Sequence, residues 1–441
     1  MTLVHRRIIY LFFMAVFFIV LPFIILSATG YKFNSKKNVL QKTGIIFLET
    51  KPKEVNVYLN GQLVEQRTPV RLKNLLPNKY EIMVSKEGYF TWQKKIDVYQ
   101  GQTTFLQYVR LFKNNMELEL LIAGEIVAME KSNDDKLGLL KKDGEMWNLS
   151  IYDLNKKIEQ KVFESKSEIE KFEFVDNGKR LLIYGADVWL VDSSGKDRIN
   201  LSQKIKSDFK NLKIDEFNSN FIFYSLKGQL FKLNLATNET SELPYFPLDY
   251  FVRGDECYLL TNDSLNNVFL KRFGLTEDKL PESLLSLPAS DEYLLASVND
   301  NFVIIRQNDE LIVWDKATGA SELIKAVNFY EWDSQQEELL FGNDWELWSY
   351  RPKENNDKYI LFSRTGEEIK GAFWYQPETH IFYLVGDKIK VVENLVNNRV
   401  TNDLMQAAEI KFAEVNKKAD KLYFVGQSGK DMGLFEINLL D

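Results

Sequence analysis

The chain contains few of the residue types on which most enzyme and metal sites depend. Its 441 residues include two histidines, His5 and His380, and one cysteine, Cys257. A Ser–His–Asp triad would have to use His380, and a zinc site built from several histidines or cysteines is impossible. His380 enters a predicted strand, so we predict an ordinary strand-edge residue. We predict no catalytic, cofactor-binding or metal-binding residue, and no cofactor.

Carboxylates are the one catalytic resource that the composition leaves open. Two of the 63 Asp and Glu residues, facing one glycan, could act as acid and base without any histidine. Acidic turns at 133–135 and 262–263 lack the regularly spaced oxygen ligands of an EF-hand calcium loop. P-loop, GxGxxG, HExxH and GxSxG motifs are absent from the sequence. These observations favour a protein that is not an enzyme.

Four tryptophans are concentrated near the C-terminal end of the chain: Trp332, Trp345, Trp348 and Trp374. Exposed together on one face, they could stack on sugar rings or on peptide side chains. Large aromatics also fill the space between packed sheets. We predict that packing is their main role.

Charge is distributed unevenly along the chain. Residues 1–113 contain 17 Lys and Arg but 6 Asp and Glu, a net charge of +11, whereas 114–441 carry a net charge of −18. A nucleic-acid-binding body would need positive charge to displace counterions from phosphates, so we predict no nucleic-acid partner. The basic N-terminal part could lie near anionic lipid head groups, or form a solvated lysine-rich surface.

No charged residue occurs from 8 to 29, next to Arg6 and Arg7. Twenty-two helical residues at about 1.5 Å each would span roughly 33 Å, enough to cross a bilayer core of about 30 Å. We predict a single-pass transmembrane helix that acts as a signal anchor; a cleaved signal peptide and a buried core helix are the alternatives. Lysines after the helix favour a cytoplasmic body, but that rule weakens for long translocated domains, and we predict an extracytoplasmic body.

A short polar linker is predicted at 30–43, and strand-like alternation follows it. Apolar residues alternate at 55–59 and again at 80–84, and the first run ends at Asn60-Gly61, a strong hairpin signal. Residues 44–112 therefore predict a compact β-sandwich of five or more short strands.

The order of the turn residues in this segment resembles that of the PEGA domain, a small surface-associated β-module. The matching residues are Asn60-Gly61, Thr68-Pro69, Leu76-Pro77-Asn78, Glu87-Gly88-Tyr89 and Gly101. At the tetrapeptide that names the family the chain has Pro52-Lys53-Glu54-Val55, which keeps only the proline. The resemblance implies an architecture and carries no binding site.

Residues 114–441 show a repeat of about 41 residues, each with an apolar strand after a polar turn. An aliphatic residue followed by a second apolar or aromatic residue marks most units. The anchors are Leu149, Val188, Leu230, Val268, Leu311, Leu347, Ile389 and Leu434. Four short strands in about 40 residues are typical of propeller blades, and the array resembles the loosely repeating propellers related to WD40 and TolB-type domains.

We therefore predict an all-β protein with an N-terminal transmembrane helix, a PEGA-like sandwich and a β-propeller at 114–441. Eight blades are favoured and seven are possible; residues 116–124 are the segment that could close the ring with the final blade. Two stacked sandwiches are the alternative fold. A propeller face on a membrane anchor favours a surface protein that binds a protein or glycan ligand or has a structural role in the envelope. An enzyme acting on glycans through paired carboxylates, and a cytoplasm-facing scaffold, are the alternatives.

Overall fold

The computed structural model describes residues 3–35, 37–205, 208–215, 217–276, 280–290, 292–333, 337–375, 379–396 and 398–440. By its internal contacts the chain divides into two compact units. Unit 1 contains Met1–Glu117, Val391–Leu404 and Asn438–Asp441, and unit 2 contains Leu118–Lys390 and Met405–Ile437.

Unit 1 begins with helix α1 (Leu3–Ala28), which includes Pro22. Its stretch Arg7–Ala28 has a mean hydropathy of 3.0, and none of it is buried in the structure. This is long and apolar enough for a membrane span, as the uncharged run predicted. Proline is tolerated in such helices because neighbouring groups satisfy the freed carbonyl.

The segment 30–43, which we predicted to be a polar linker before the first strand, contains regular secondary structure. It contains a two-stranded hairpin of β1 (Tyr31–Asn34) and β2 (Val39–Lys42), paired from Tyr31 with Lys42 to Asn34 with Val39. The sequence is rich in lysine and asparagine, which hid the alternating apolar residues.

The small domain consists of two sheets packed on one core. One sheet has the order β6-β3-β9 and the other β5-β4-β7-β8. Their strands are β3 (Gly44–Lys51), β4 (Asn56–Leu59), β5 (Gln62–Leu63), β6 (Val70–Leu75), β7 (Asn78–Ser85), β8 (Trp92–Val98) and β9 (Thr103–Arg110). Asn60 and Gly61 both have positive φ in the β4–β5 turn, which confirms the predicted two-residue hairpin.

The core of this domain comes from the inward positions of each strand. Ile46 and Leu48 of β3 and Val57 of β4 are fully buried, as are Ile82 and Val84 of β7. Alternation of buried and outward residues, seen along β3 and β8, is what a sheet with one covered face requires.

Eight four-stranded antiparallel sheets follow the small domain within the described residues, and most of their strands belong to unit 2. Sheets 1 to 4, each in chain order, are β11 (Ile126–Lys131), β12 (Lys136–Asp143), β13 (Met146–Asp153), β14 (Ile158–Ser165); β15 (Ile169–Val175), β16 (Arg180–Gly185), β17 (Trp189–Asp192), β18 (Arg198–Asn200); β19 (Phe209–Ile214), β20 (Phe221–Leu226), β21 (Gln229–Asn234), β22 (Thr240–Leu243); and β23 (Asp249–Arg253), β24 (Glu256–Asn262), β25 (Val268–Gly274), β26 (Glu282–Leu287). A short helix, α2 (Leu201–Ile205), follows β18.

Sheets 5 to 8 continue the same pattern. Their strands are β27 (Tyr293–Val298), β28 (Phe302–Gln307), β29 (Glu310–Asp315), β30 (Ser321–Ile324); β31 (Phe329–Asp333), β32 (Glu338–Gly342), β33 (Glu346–Tyr350), β34 (Tyr359–Arg364); β35 (Ile369–Tyr375), β36 (His380–Val385), β37 (Lys388–Glu393), β38 (Thr401–Gln406); and β39 (Glu409–Val415), β40 (Lys421–Ser428), β41 (Asp431–Asn438), with β10 (Leu118–Ala123) as the fourth strand of sheet 8.

The sequence repeat coincides with the third strand of every sheet. Seven of the eight aliphatic anchors lie within a third strand and are fully buried, and Val188 directly precedes β17 and is partly buried. Side chains of this strand are covered by neighbouring sheets, as Leu230 belongs to one buried cluster with Tyr250 and Leu259 of the next sheet, which explains the strong apolar requirement.

First strands of successive sheets lie against one another, as β23 does with β27 and β31 with β35, and β11 of sheet 1 contacts β39 of sheet 8. β10 pairs with β41, which confirms the alternative that 116–124 closes the array. The fold is that of a β-propeller; a count of eight blades stays a prediction, with which the eight sheets are consistent.

Candidate functional site

The first strands of the eight sheets place one equivalent residue each at a common level. Each of these residues opposes the third residue of the second strand of its own sheet, as Glu130 opposes Gly138 and Glu331 opposes Leu340. In order from sheet 1 they are Glu130, Glu173, Lys213, Phe251, Ser297, Glu331, Phe373 and Glu414. The four glutamates, which we name the glutamate layer, come from sheets 1, 2, 6 and 8.

Two members of the glutamate layer accept hydrogen bonds from the backbone of the next sheet. Glu130 Oε1 accepts from the amide of Phe174 at 3.2 Å, and Glu331 Oε2 accepts from the amide of Trp374 at 3.1 Å. A first strand has a partner strand on one side only, so its outer amides need other acceptors. These carboxylates supply them and join neighbouring sheets.

The other two members are paired with cations. Glu173 accepts a hydrogen bond from the Tyr184 hydroxyl at 2.9 Å and lies 2.8 Å from the ammonium of Lys171. Glu414 lies 3.5 Å from Lys131, which belongs to sheet 1, so this ion pair spans the junction at which the array closes. Every carboxylate of the layer therefore has a partner from its own chain.

Burial changes the proton affinity of three of these carboxylates. Desolvation raises the pKa of Glu130 to about 7, against the opposing effect of the Phe174 amide and with a further contribution from the nearby Glu173. Desolvation and the negative charge of Glu414 raise the pKa of Glu331 to about 8. Desolvation also raises the pKa of Glu414, although Lys131 opposes it. The layer is thus partly protonated near neutral pH.

Replacing Glu331 with glutamine is expected to flatten the dependence of thermal stability on pH. The folded chain binds a proton at Glu331 up to about pH 8, whereas the ordinary pKa of a glutamate side chain is about 4.5. The stabilisation that the protonated Glu331 gives the folded chain is fully present below about pH 4.5 and is lost as the pH rises to about 8. Between pH 5 and pH 9 the free energy of unfolding should therefore fall by about 1–3 kcal/mol more in the wild-type chain than in Glu331→Gln.

The measurement is thermal denaturation of the full chain at pH 5, 7 and 9. Glu368→Gln, an exposed glutamate just before β35, is the matched control and should follow the wild type. Parallel pH profiles for wild type and Glu331→Gln would show that Glu331 does not hold its proton.

A cavity of about 610 Å³ lies against the glutamate layer. The first strands of sheets 1 to 4 and the turns that follow them line it; we name it the axial cavity. Its wall includes Glu130, Glu173, Lys213 and Phe251 from the common level, together with Phe217. The cavity thus combines carboxylates, a cation and aromatic surface.

One further residue, Asp215, lines the axial cavity. Asp215 is buried and accepts hydrogen bonds from the amides of Phe217 and Gly254, both at 3.0 Å. It therefore fixes the turn that carries Phe217, whose side chain is 70% exposed. Arg253 lies over this ring at 5.6 Å from its centroid. A large aromatic side chain held open to solvent is a natural contact for a ligand.

The residues that the sequence singled out lie elsewhere. His380 begins β36, is buried, and its ring contacts that of Tyr375. Cys257 is fully buried, and burial raises the pKa of its thiol well above the ordinary value. Within the described residues no group of three or more His, Cys, Asp or Glu is arranged to hold a metal ion.

The four tryptophans do not share one location in the fold. Trp332 and Trp374 are on the first strands β31 and β35, Trp348 is on the third strand β33, and Trp345 lies in the preceding turn. Trp332 contacts Phe302, and Trp348 donates to Glu346 at 3.0 Å. Trp345 alone of the four is exposed, at 52%. Packing accounts for Trp332 and Trp374.

The acidic turns are engaged within themselves or with neighbouring turns. Asp134 hydrogen-bonds Ser132 and Lys136, and Asp135 accepts from the amide of Lys417 at 2.7 Å. Asp263 accepts from the amides of Leu265 and Asn267. Short acidic side chains stabilise turns in this way without any ligand.

Sequence reasoning missed the glutamate layer. Glu130 and Glu173 are 43 residues apart, and Glu331 and Glu414 are two repeats apart. They precede the apolar anchors of their repeats by 15 to 20 residues, so the repeat period alone places them only approximately.

The fold and the cavity define a class: a β-propeller attached to a small β-sandwich and an apolar N-terminal helix. Comparison with known proteins agrees with the two β parts of this description. Residues 43–111 match the model of the PEGA domain. No curated protein sequence matches the chain.

Among solved structures the chain is similar to WD40 and related propellers. The C-terminal WD40 domain of Sif2 aligns with a TM-score of 0.50 and 11% identity, covering 74% of this chain and 98% of that one. The Dos1 propeller aligns with a TM-score of 0.48 and 14% identity, covering 73% of this chain and 94% of that one. The propeller domain of Cps50 (Swd1) from Myceliophteria thermophila aligns with a TM-score of 0.44 and 13% identity, covering 74% of this chain and 100% of that one. At such low identity the likeness shows the fold alone.

Proposed function

We propose that this chain is a single-pass membrane protein whose propeller, outside the cytoplasm, binds a protein ligand at the axial cavity. The uncharged helix α1 supports the anchor. PEGA domains are commonly extracellular, which supports the placement of the body. The observation that carries the binding role is the axial cavity, which Glu130, Glu173 and the exposed ring of Phe217 all line.

A basic side chain of the ligand is the complementary group for this cavity. The carboxylates lie in a region of reduced solvent exposure, where an ionic contact is stronger than at an open surface. Residues 114–441 carry a net charge of −18, which also draws cationic ligands toward the propeller. A glycan ligand, which would stack on the aromatic surface, is the other outcome of the test.

Binding should depend on the two carboxylates of the cavity. The full chain in detergent is titrated with a panel of lysine- and arginine-containing peptides, soluble peptidoglycan fragments and envelope polysaccharides. For a basic peptide that binds, the double variant Glu130→Gln with Glu173→Gln should weaken affinity at least about tenfold, the loss of one charge-assisted contact.

Glu170→Gln is the matched control for this titration, because Glu170 is exposed on β15, the same strand as Glu173. It should bind as the wild type does. Equal affinity of the double variant and the control, or no binding by any panel member, would contradict the proposed site. Protease accessibility of the propeller in intact cells tests the orientation: protection there would favour the cytoplasm-facing scaffold.

A glycan-cleaving enzyme is the second candidate, and one observation favours it. Glu130, whose pKa is raised to about 7, and the ion-paired Glu173 line one cavity, as an acid and a carboxylate would in a glycosidase. Both carboxylates, however, already accept hydrogen bonds from the protein. Release of reducing ends from an envelope polysaccharide, abolished by either glutamine substitution, would establish this activity.

A further inference from the structure

We propose that the β1–β2 hairpin lies in the head-group region of an anionic bilayer and sets the small domain on the membrane surface. This inference rests on the proposed membrane anchor and adds to it a surface of unit 1. The hairpin follows α1 after two residues, so the chain leaves the apolar helix directly into it. The membrane interface is therefore the nearest apolar–polar boundary available to it.

The two faces of the hairpin differ in character. The pairing places Tyr31, Phe33 and Leu40 on one face, because residues two apart on a strand point the same way and Phe33 opposes Leu40. These side chains are exposed by 40%, 56% and 50% respectively. On the other face Asn34 donates to Gln41 at 2.7 Å. The first face thus has three exposed apolar side chains, with Lys42 opposite Tyr31 at its base. The second face has the polar pair, Lys32 and one exposed apolar residue, Val39.

An uncovered apolar face on two strands calls for a covering partner. An isolated two-stranded hairpin is marginally stable in water, and three or more strands or a packing surface are usually needed. Tyrosine and other amphipathic aromatics are enriched where hydrocarbon meets head groups. Tyr31, three residues beyond the end of α1, has the position and the chemistry for that level.

The charges of the hairpin complement an anionic surface. Lys32, Lys37 and Lys42 belong to it, and it contains no acidic residue. Each basic residue near an anionic membrane surface contributes roughly 1 kcal/mol to attraction, and this falls off over a Debye length. Apolar burial and charge therefore favour the same location.

The base of the hairpin is fixed to its surroundings. The carbonyl of Gly30 accepts from both the amide and the hydroxyl of Thr43, at 2.7 and 2.8 Å, and the carbonyl of Thr43 accepts from the amide of Gly101 at 2.9 Å. The helix end, the hairpin and the loop before β9 are therefore hydrogen-bonded at one point. Because the hairpin is fixed to the small domain in this way, binding of the hairpin to the membrane would hold the small domain at the membrane surface.

Depth-dependent quenching in nanodiscs tests the proposal on the full chain. Leu40→Cys carries an environment-sensitive fluorophore, and native Cys257 is fully buried and should not react. Discs contain phosphatidylglycerol and phosphatidylcholine with spin-labelled lipid. Label at position 40 should be quenched at least twofold more than label at Val39→Cys, a matched control on the opposite face. Replacing Lys32, Lys37 and Lys42 with glutamine should reduce quenching in anionic discs and leave it unchanged in purely zwitterionic ones.

A label at Phe18→Cys, in the middle of α1, tests the membrane anchor separately from the location of the hairpin. If position 18 is quenched and position 40 is not, the hairpin does not enter the interface while the anchor stands. If the chain fails to elute with the discs at all, the anchor is wrong and the hairpin proposal is overturned with it. Equal quenching at positions 39 and 40 would overturn the assignment of the apolar face.

Discussion

Replacing Gly433 with alanine is expected to detach β10 from sheet 8 and to open the propeller at its closing pair. A Cβ atom at this position would lie 1.9 Å from the carbonyl oxygen of Ile122. Gly433 opposes Ala123 in the β41–β10 register, and the amide of Gly124 donates to the carbonyl of Met432 at 2.9 Å. Backbone is on both sides of the clash, so it can be relieved only by separating the strands.

The pairing of β10 with β41 should lose about 3 kcal/mol of stability, the upper end of the range for overpacking, because no flexible side chain can move out of the way. Hydrogen exchange of the amides in 118–123 should therefore accelerate by roughly 100-fold, since about 1.4 kcal/mol corresponds to a factor of ten. Gly371→Ala is the matched control: a Cβ there meets nothing within 4 Å. Unchanged protection of 118–123 in Gly433→Ala would show that β10 is not held as described.

Replacing Glu393 with leucine is expected to destabilise unit 1 by about 3–5 kcal/mol, because it leaves a buried cation without a partner. Lys94 and Glu393 have side chains that are 6% and 7% exposed, and they lie 2.5 Å apart. Glu393 also accepts from the indole of Trp92 and from the amide of Val400, both at 2.7 Å. One carboxylate thus satisfies three donors of this unit.

A double-mutant cycle measures this interaction. Lys94→Met combined with Glu393→Leu should recover part of the loss, since two apolar residues can replace a buried ion pair more easily than one partner can be removed. Opening of β8 is followed by hydrogen exchange of 92–98. Asp97→Asn, which breaks an exposed pair with Lys79 on neighbouring strands, should change stability by less than about 0.5 kcal/mol. Additive single effects would mean that Lys94 and Glu393 do not interact.

The repeat was predictable because burial requires apolar residues at regular intervals along the sequence. Third-strand anchors such as Leu230 and Leu347 are fully buried, so only apolar residues serve there. The turn at Asn60-Gly61 was predictable for a similar reason, since its positive φ angles select those residue types. Local constraints of this kind are visible in one sequence.

The glutamate layer and the hairpin were not predicted, because their causes are not local. Glu130 joins Phe174 on another sheet, and no spacing within one blade indicates that contact. The β1–β2 pairing brings Phe33 next to Leu40 across a turn rich in lysine and asparagine, whose composition is typical of a linker. Polar roles that depend on neighbouring sheets need the fold before they can be assigned.

The strand that closes the propeller is the first propeller strand to be synthesised, and its partners are the last. β10 ends at Ala123, whereas β39, β40 and β41 occupy 409–438, so ribosomes must complete nearly the entire body before sheet 8 can exist. At about 5–20 residues per second, β10 waits roughly 15 to 60 s with an unpaired edge, which is the period of greatest exposure to aggregation.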